Sequence, residues 1–269
     1  MSLTSTPSEK SAMLEGAAVK GRSLWDDARA RLLRNKAAVF SLGLLAVLVA
    51  LAFLGPFLWI HDSAHIYRDR VQLAPTWEHL HIFGTDAQGR DLFARTLVGL
   101  RMSLMVGVVA TMVSLAIGVV WGATAGFIGG RVDQLMMRIV DVLYSLPFIF
   151  FVIILMVVFG RNIILIFVAI GAVEWLTMAR IVRGQTISLK GMEFVEAARA
   201  AGVSQFSIIR RHIVPNVLGP VVVYVTLTIP VVILAESFLS FLGLGVQEPL
   251  TSLGNLISNG ARDMEVAPW

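Results

Sequence analysis

The sequence contains no cysteine, and only 15% of its 269 residues are charged, whereas 57% are hydrophobic. Soluble domains are about half apolar and carry about 25% charged residues. The absence of cysteine excludes a disulfide-stapled module and a cysteine-ligated zinc or iron–sulfur protein, and the wealth of apolar side chains excludes a disordered chain. The net charge of +4 is too small to indicate nucleic-acid binding, because basic residues also collect in the cytoplasmic loops of membrane proteins.

Motifs that would carry catalysis are also absent. The sequence has no glycine-rich phosphate loop, no paired histidines of a zinc protease and no serine-nucleophile elbow. We therefore expect that the chain is not an enzyme, that it binds no cofactor itself, and that any nucleotide chemistry belongs to partner proteins.

Five long stretches are almost free of charge, and each has about the length of a membrane span. They cover residues 37–60, 102–128, 142–160, 162–179 and 213–235. A helix needs roughly 20 apolar residues to cross about 30 Å of hydrocarbon, whereas strands average about five or six residues. The first stretch begins too far into the chain, and is too long, for a cleaved signal peptide. The sequence therefore predicts an all-α, polytopic helical bundle in a membrane.

The distribution of basic residues predicts the orientation of this bundle. With the N-terminus inside, the inner segments hold fifteen lysines and arginines and the outer segments hold seven. Cytoplasmic loops carry the excess of basic residues, so we predict a cytoplasmic N-terminus. The outer loop is then 61–101, the cytoplasmic loop is 180–212 and the last outer segment is 246–269, all within a membrane domain that covers 37–269.

The N-terminal 36 residues divide into two predicted segments. Residues 1–22 are polar and small, which is typical of a loose tail. In residues 23–36, Trp25, Ala28 and Leu32 share one helical face, which predicts a short amphipathic helix in the cytoplasmic interface of the membrane. A solvated extension of the first span is the alternative.

Small residues mark two places where another chain segment can approach closely. The second span carries Gly118, Gly122 and Gly126 at four-residue spacing, which allows another helix backbone to pack against it. In the cytoplasmic loop, Ala197 and Ala198 favour a helix of little bulk. Such a helix suits docking into a groove of another protein, although a helix that rests on lipid headgroups is also consistent with the pattern.

The rest of the cytoplasmic loop predicts a break and a second helix. Gly202 stands where a left-handed residue ends a helix, and Ser204 can cap the following turn. The second helix is expected to place three residues on one apolar face: Phe206, Ile209 and Ile213. Pro215 then falls just inside the fifth span.

A few polar residues are candidates for a solute path or a metal site. Glu174 and Glu236 lie inside or at the edge of spans, where carboxylates often mark a path, although a wet interfacial position is equally consistent with their places. The outer loop contains four histidines: His61, His65, His79 and His81. His79 and His81 would face the same way on a strand, but the spacing matches no zinc pattern, so we expect solvated histidines and no metal.

Several motifs together resemble a known family. The spacing of Glu196-Ala197-Ala198, Gly202 and Pro215 resembles the coupling-loop signature of permease subunits of bacterial ATP-driven (ABC) importers. The outer-loop residues Gly84-Thr85-Asp86 and Gly89-Arg90-Asp91 are similar to a signature of the peptide and nickel branch. The segments 129–138 and 238–245 fit the same branch, and 178–185 and 211–216 resemble the C-type subunit of oligopeptide importers.

The resemblance implies a fold, a function and a set of partners. The fold would be the type I permease fold in the bacterial inner membrane, with a sixth span that family members carry beyond Trp269 and that this sequence lacks, through truncation or variation. The partners would be a second homologous permease, two cytoplasmic ATPase subunits that hold ATP and Mg, and an extracytoplasmic peptide-binding protein. Glu196, Ala197, Ala198 and Gly202 would transfer force from an ATPase.

The implied function is uptake of oligopeptides into the cytoplasm. Dipeptides, nickel or another small solute are alternatives within the same family. A secondary transporter or channel, and a membrane scaffold that moves nothing, are more distant alternatives, because neither requires ATPase partners.

Overall fold

The computed structural model describes residues 24–159 and 163–269, and all regular structure in these ranges is helical. The helices are α1 (Leu24–Arg34), α2 (Lys36–Leu58), α3 (Leu92–Ile128), α4 (Gly130–Ser145), α5 (Phe148–Phe159), α6 (Ile163–Lys190), α7 (Glu193–Ala200), α8 (Gln205–Ile208), α9 (Val214–Phe241) and α10 (Leu253–Asp263). A π-helical turn, Ile209–Ile213, joins α8 to α9. The all-α prediction is confirmed for the described residues, and the predicted loose tail 1–22 lies outside them.

Three helices in the described ranges are long and apolar enough to cross a membrane: α2, α3 and the run Gln205–Phe241. A fourth span results if the bent pair α4 and α5 is counted as one. These helices correspond to the predicted spans 37–60, 102–128, 213–235 and 142–160. The fifth predicted span, 162–179, corresponds to α6, which continues to Lys190.

The predicted span 142–160 is interrupted instead of continuous. The axes of Gly130–Ser145 and Phe150–Phe159 differ in direction by 89°. Pro147 explains the break, because proline has no N–H to donate and disfavours the helical conformation of the residue before it. Leu146 accordingly is extended, with φ −78° and ψ 130°.

The chain divides into two compact units, residues 1–49 and 50–269. In the first unit, α1 ends at Arg34, and the Asn35 side chain accepts a hydrogen bond from the Ala38 amide at 3.2 Å. Leu32 and Leu33 of α1 are exposed. The position of this helix in the membrane interface stays a prediction.

In the second unit, α3 and α6 form the most extensive helix pair. Gly118, Gly122 and Gly126 of α3 face α6, and a methyl group at any of them would collide with it. A Cβ atom at Gly118 would lie 2.5 Å from Cγ of Met178, and one at Gly122 would lie 2.4 Å from the carbonyl oxygen of Ala179. The predicted close approach through these glycines is therefore confirmed.

The loop between α6 and α9 packs on the same pair of helices. Val195 of α7, Ile208 of α8 and Val217 of α9 are fully buried in one cluster with Phe127 of α3 and Val182 of α6. The loop that the sequence predicts to be cytoplasmic, 180–212, thus packs on the α3–α6 pair.

Substitution of Gly122 by alanine should loosen this pair. The added methyl group has no room beside Ala179, and overpacking of this kind typically costs about 1–3 kcal/mol. We expect Gly122→Ala to lower the thermal unfolding midpoint of the purified protein in detergent. Gly184→Ala on α6 is the matched control, because a Cβ atom there meets nothing within 4 Å. Equal midpoints for the two variants would contradict the packing argument.

Candidate functional site

The segment between α6 and α9 folds as a helix, a left-handed break and a second helix, as predicted. Gly202 has φ +74°, and its amide donates to the Arg199 carbonyl at 2.9 Å. Ser204 caps α8, since its hydroxyl accepts from the Ser207 amide at 3.4 Å. Pro215 lies in the first turn of α9, where a missing N–H breaks no helical hydrogen bond.

Helix α7 has one buried and one exposed face. Val195 is fully buried and Ala198 is 9% exposed, so both pack toward α3 and α6. Glu196, Ala197 and Ala200 are exposed. Ala198 therefore packs against the helices behind α7, and its neighbour Ala197 faces outward. Contact of Ala198 with a partner stays a prediction.

The predicted apolar face of the second helix does not form. Phe206 is 71% exposed, whereas Ile213 is fully buried. The π-helical turn between them holds an extra residue compared with an α-helical turn, so the face rotates between the two residues. Ile208 takes the buried position that the simple periodicity assigned to Phe206.

Exposed apolar side chains and exposed alanines thus occur together in the segment that contains α7 and α8. We call this set the α7–α8 surface, and it comprises Met192, Phe194, Ala197, Ala200 and Phe206. Large exposed apolar side chains near a polar rim are typical of a protein-interaction site.

Charged side chains connect α7 and α6 to neighbouring helices. The Phe127 ring of α3 lies 5.1 Å from Cζ of Arg199 on α7 and 5.8 Å from Nζ of Lys190 on α6, which are cation–π distances. Arg183 of α6 donates to both carboxylate oxygens of Asp133 on α4, at 2.5 and 2.7 Å. Arg199 is therefore the charged contact between α7 and α3, and Arg183 joins α6 to α4.

The loop between α2 and α3 contains the second set of predicted residues, and its two signature glycines are required by geometry. Gly84 and Gly89 have φ +77° and +83°. A Cβ atom at either position would lie 2.3 Å from a carbonyl oxygen, of Leu73 or Tyr67 respectively. Only glycine avoids both the left-handed strain and the collision.

Asp86 and Arg90 connect this loop to the segment after α9. The Asp86 carboxylate accepts from the amides of Gln88 and Arg90 at 2.9 Å and from Arg90 Nε at 2.8 Å. Arg90 also donates to Glu248, 158 residues later in the chain, at 2.9 Å. The signature pair thus holds two distant segments together.

Asp91 and Thr85 organise the entry to α3. Asp91 caps α3 by accepting from the Ala94 amide at 2.7 Å, and it also accepts from Trp59 Nε1 at 3.1 Å. Thr85 donates to the Arg70 carbonyl and accepts from a backbone amide. The signature residues are therefore brought together, and all of them serve the folding of the loop.

Two of the four loop histidines are buried, so the expectation of solvated histidines is wrong for His61 and His81, whereas His65 and His79 are exposed. His81 Nδ1 donates to Asp91 at 2.7 Å. His61 bonds through both ring nitrogens, to the Tyr67 hydroxyl at 2.8 Å and to the His79 carbonyl at 2.9 Å.

His61, His81 and Asp91 offer ligand atoms within 4.8 Å of one another, which is close enough to consider a metal ion. The two imidazole rings, however, are stacked with centroids 4.3 Å apart, so their nitrogens do not converge on one point. Because a metal ion would also have to replace the hydrogen bonds of these residues, the cluster fits a structural role better than a metal centre.

The two carboxylates within the helices have different surroundings. Glu174 of α6 is partly exposed. Glu236 of α9 is fully buried and accepts from the hydroxyls of Ser103 at 3.2 Å and Ser240 at 2.6 Å. Among the described residues, Glu236 is thus enclosed by other helices, and its place on a solute path stays a prediction.

Comparison with known proteins identifies the family. Residues 118–267 match the sequence model described as "Binding-protein-dependent transport system inner membrane component", and residues 23–75 match "N-terminal TM domain of oligopeptide transport permease C". The chain belongs to the family of binding-protein-dependent transport system inner membrane components.

Individual relatives cover nearly the whole chain. The oligopeptide transport system permease protein OppC of Haemophilus influenzae is 53% identical over 95% of this chain and 82% of that protein. The protein of the same name from Escherichia coli K12 is 55% identical over 93% of this chain and 83% of that protein. The dipeptide transport system permease protein DppC of Bacillus subtilis is 44% identical over 95% and 80%.

A solved structure shares the fold. A chain from "Inward facing conformations of the MetNI methionine ABC transporter" has a TM-score of 0.51 and 20% identity, and the match covers 64% of this chain and 81% of that one. With the family and the apolar helices, the match makes this chain a multi-pass membrane permease of the ABC importer class, which works within a transporter complex.

The Arg90–Glu248 pair predicts a pH-dependent contribution to stability. The hydrogen bond from Arg90 holds the pKa of the Glu248 carboxyl below its ordinary value. The pair therefore stabilises the fold above the ordinary pKa of about 4.3, and this contribution is lost as the pH falls through the lowered pKa. We expect Glu248→Gln to cost less than about 1 kcal/mol at pH 7, because the side chain is half exposed.

Thermal unfolding of both proteins across the acidic range measures this effect. The difference between them should disappear once the pH lies below the lowered pKa. Glu265→Gln is the control, since exposed Glu265 forms no ion pair within the described part of the chain. A difference that persists in strong acid would show that Glu248 acts by packing instead of charge.

Proposed function

We propose that this permease carries oligopeptides into the cytoplasm across the bacterial inner membrane, with its N-terminus on the cytoplasmic side. Relatives named as oligopeptide permeases, more than 50% identical over more than nine tenths of this chain, support this cargo. A relative named as a dipeptide permease is 44% identical and supports dipeptides as the second candidate. The observation that carries the mechanism is the α7–α8 surface. Its side chains are exposed, while the opposite face of α7 packs against α3 and α6.

The proposed partners follow from this architecture and this family. A second homologous permease would complete the path, and an extracytoplasmic peptide-binding protein would deliver the peptide. Two cytoplasmic ATPase subunits would hold ATP and Mg, and one of them would dock on the α7–α8 surface. Helix-in-groove docking suits a short helix whose outer face is alanine, flanked by exposed Phe194 and Phe206.

Force would pass from the ATPase to the spans through the buried face of α7. Val195 and Ala198 pack against α3 and α6, and Arg199 stacks on Phe127. Because packed interfaces switch between discrete arrangements instead of deforming smoothly, displacement of α7 would shift the α3–α6 pair as a unit. Gly202 would set the angle between α7 and α8, and Glu196 would bind at the docked surface.

Glu174 and Glu236 are the two candidates for residues on the solute path, and Glu174 is the more accessible one. Its carboxylate is partly exposed on α6, and a carboxylate within a membrane helix attracts a cationic group. The free amino terminus of a peptide is such a group.

Substitution of Gly202 by valine should abolish uptake while membrane insertion remains normal. The left-handed backbone at φ +74° costs a β-branched residue roughly 1–3 kcal/mol, so the angle between α7 and α8 would change. Gly191→Val is the matched control, because Gly191 lies at the other end of α7, has no such conformation and has open space around it.

Uptake of labelled peptides of several lengths, in cells that otherwise lack this permease, is the measurement. Equal uptake by the two variants would refute the role of Gly202. If the wild-type protein takes up only dipeptides, then dipeptides, the second candidate, would replace oligopeptides as the proposed cargo.

Crosslinking should locate the ATPase on one face of α7. Because the chain has no cysteine, single-cysteine variants react at one position only. We expect Ala197→Cys to form a crosslink to an ATPase subunit in the assembled transporter, and Ala198→Cys to form none, since Ala198 is 9% exposed. Crosslinks of equal yield from both positions, or from neither, would contradict the proposed docking face.

A further inference from the structure

Two charged side chains are buried in the helices with little compensation from ion pairs. Glu236 of α9 is fully buried, and no basic side chain lies within 4 Å of it among the residues that the structure describes. Arg95 of α3 is 1% exposed; it has one ion pair, 3.5 Å from its Nε atom to Asp86, and none of its guanidinium nitrogens has a hydrogen-bond partner within the described ranges. Burial of a charge costs several kcal/mol unless the surroundings compensate for it.

The first oxygen of Glu236 ends a chain of hydrogen bonds that begins at the backbone of α10. The amide of Leu253, the first residue of α10, donates to the Ser103 hydroxyl at 3.2 Å. Ser103 in turn donates to Glu236 Oε2 at 3.2 Å. The Ser103 hydroxyl of α3 thus links the Leu253 amide of α10 to the Glu236 carboxylate of α9 through two hydrogen bonds, which we call a serine relay.

The second oxygen ends a similar chain. The Asn255 amide donates to the hydroxyl of Ser252, the N-cap residue of α10, at 3.2 Å. The Ser252 and Ser240 hydroxyls are 3.2 Å apart, and Ser240 donates to Glu236 Oε1 at 2.6 Å. Because the single hydroxyl hydrogen of Ser240 is used by Glu236, Ser252 donates to Ser240. Both chains of donors therefore point from α10 toward the carboxylate.

The carboxylate of Glu236 is thereby connected, through serine hydroxyls, to the N-terminal end of α10. The first N–H groups of a helix have no partner within it and carry about half a positive charge together. Charge-assisted hydrogen bonds are roughly twice as strong as neutral ones, and two serine relays extend this effect over the distance between α10 and α9.

Arg95 shares a cavity, but no hydrogen bond within the described ranges, with the opposite end of α10. With Asn259, Gly260 and Asp263, which are in the last turns of α10, it lines a cavity of about 240 Å³. The C-terminal end of a helix is negative and favours a cation. Arg95, Gly99 and Ser103 recur every four residues on one face of α3, and a Cβ atom at Gly99 would lie 3.1 Å from the Ser252 backbone. This face of α3 therefore runs along α10.

We propose that Glu236 and Arg95 are positioning residues that hold α10 against α3 and α9 by complementing the two ends of its dipole. The segment that contains α10 then stays attached to these two helices while the spans change their packing. The first statement, that the two residues hold α10 in place, concerns the folded chain alone. The second statement, that α10 stays attached while the spans change their packing, rests on the proposed function.

Hydrogen exchange of the α10 amides in the assembled transporter tests the first statement. The Leu253 and Asn255 amides report the two relays directly, because the serine hydroxyls are their only hydrogen-bond partners among the described residues. We expect Glu236→Gln to accelerate exchange at both amides by about tenfold, since a neutral side chain holds the relays less tightly. Arg95→Met should accelerate exchange mainly in the last turn of α10.

Ser258→Ala is the matched control, because it removes another buried hydroxyl of α10, which donates to the Phe241 carbonyl at 3.3 Å outside both relays. It should leave the Leu253 and Asn255 amides unchanged. Ser103→Ala is a milder second variant if Glu236→Gln does not assemble, and it should accelerate Leu253 but not Asn255. If hydrogen exchange accelerated equally at all α10 amides in these variants, or at none of them, the proposal would be overturned.

Exchange of the wild-type transporter in its nucleotide-free and ATP-trapped states tests the second statement. Protection of Leu253 and Asn255 should be equal in the two states. Loss of protection in one state would overturn the permanent attachment of α10. None of these measurements needs a peptide cargo. Results that contradict the attachment of α10 would therefore leave the proposed uptake function untouched. Results that contradict uptake would likewise leave the attachment of α10 untouched.

Discussion

The close approach of α3 and α6 is the contact on which the rest of the second unit depends. It exists because Gly118, Gly122 and Gly126 present no side chain, so the two backbones approach to distances that even a methyl group would prevent. Val195, Ile208 and Val217 then pack on this pair, which places the loop between α6 and α9 at a defined angle. In the proposed mechanism this pair is the rigid element that α7 would displace, because packed helices transmit strain.

The loop between α2 and α3 is ordered by a different means. Within the described ranges it has isolated bridges but no strands, and the chain has no cysteine to form a disulfide. Instead, Asp86 and Asp91 each accept several hydrogen bonds from amides and side chains of the loop. Each carboxylate thus organises the backbone around it, and Arg90 adds a bond to Glu248 that attaches the loop to the segment after α9.

Carboxylates recur in this protein as a means of attachment. Asp91 is bonded to Trp59 and His81, Asp133 is paired with Arg183, and Glu236 is connected by serines to the first turn of α10. In each case a carboxylate joins different segments of the chain. Inside a membrane protein this is effective, because the low dielectric strengthens hydrogen bonds that are satisfied and makes an unsatisfied group costly.

The amino-acid sequence alone determined the helical character of the chain, the glycine stripe, the left-handed Gly202 and the Ser204 cap, because each depends on composition or on neighbours within a few residues. Of the five predicted spans, three, or four with the bent pair, are long and apolar enough to cross a membrane in the described ranges. The sequence did not reveal that Phe206 is exposed, that His61 and His81 are buried, or that Glu236 is enclosed. Those outcomes were decided only by the tertiary structure. A π-helical turn changes the direction of a helix face. Glu236 and Arg90 each have one partner, Ser103 and Glu248 respectively, that lies more than a hundred residues away, where no local pattern specifies contact.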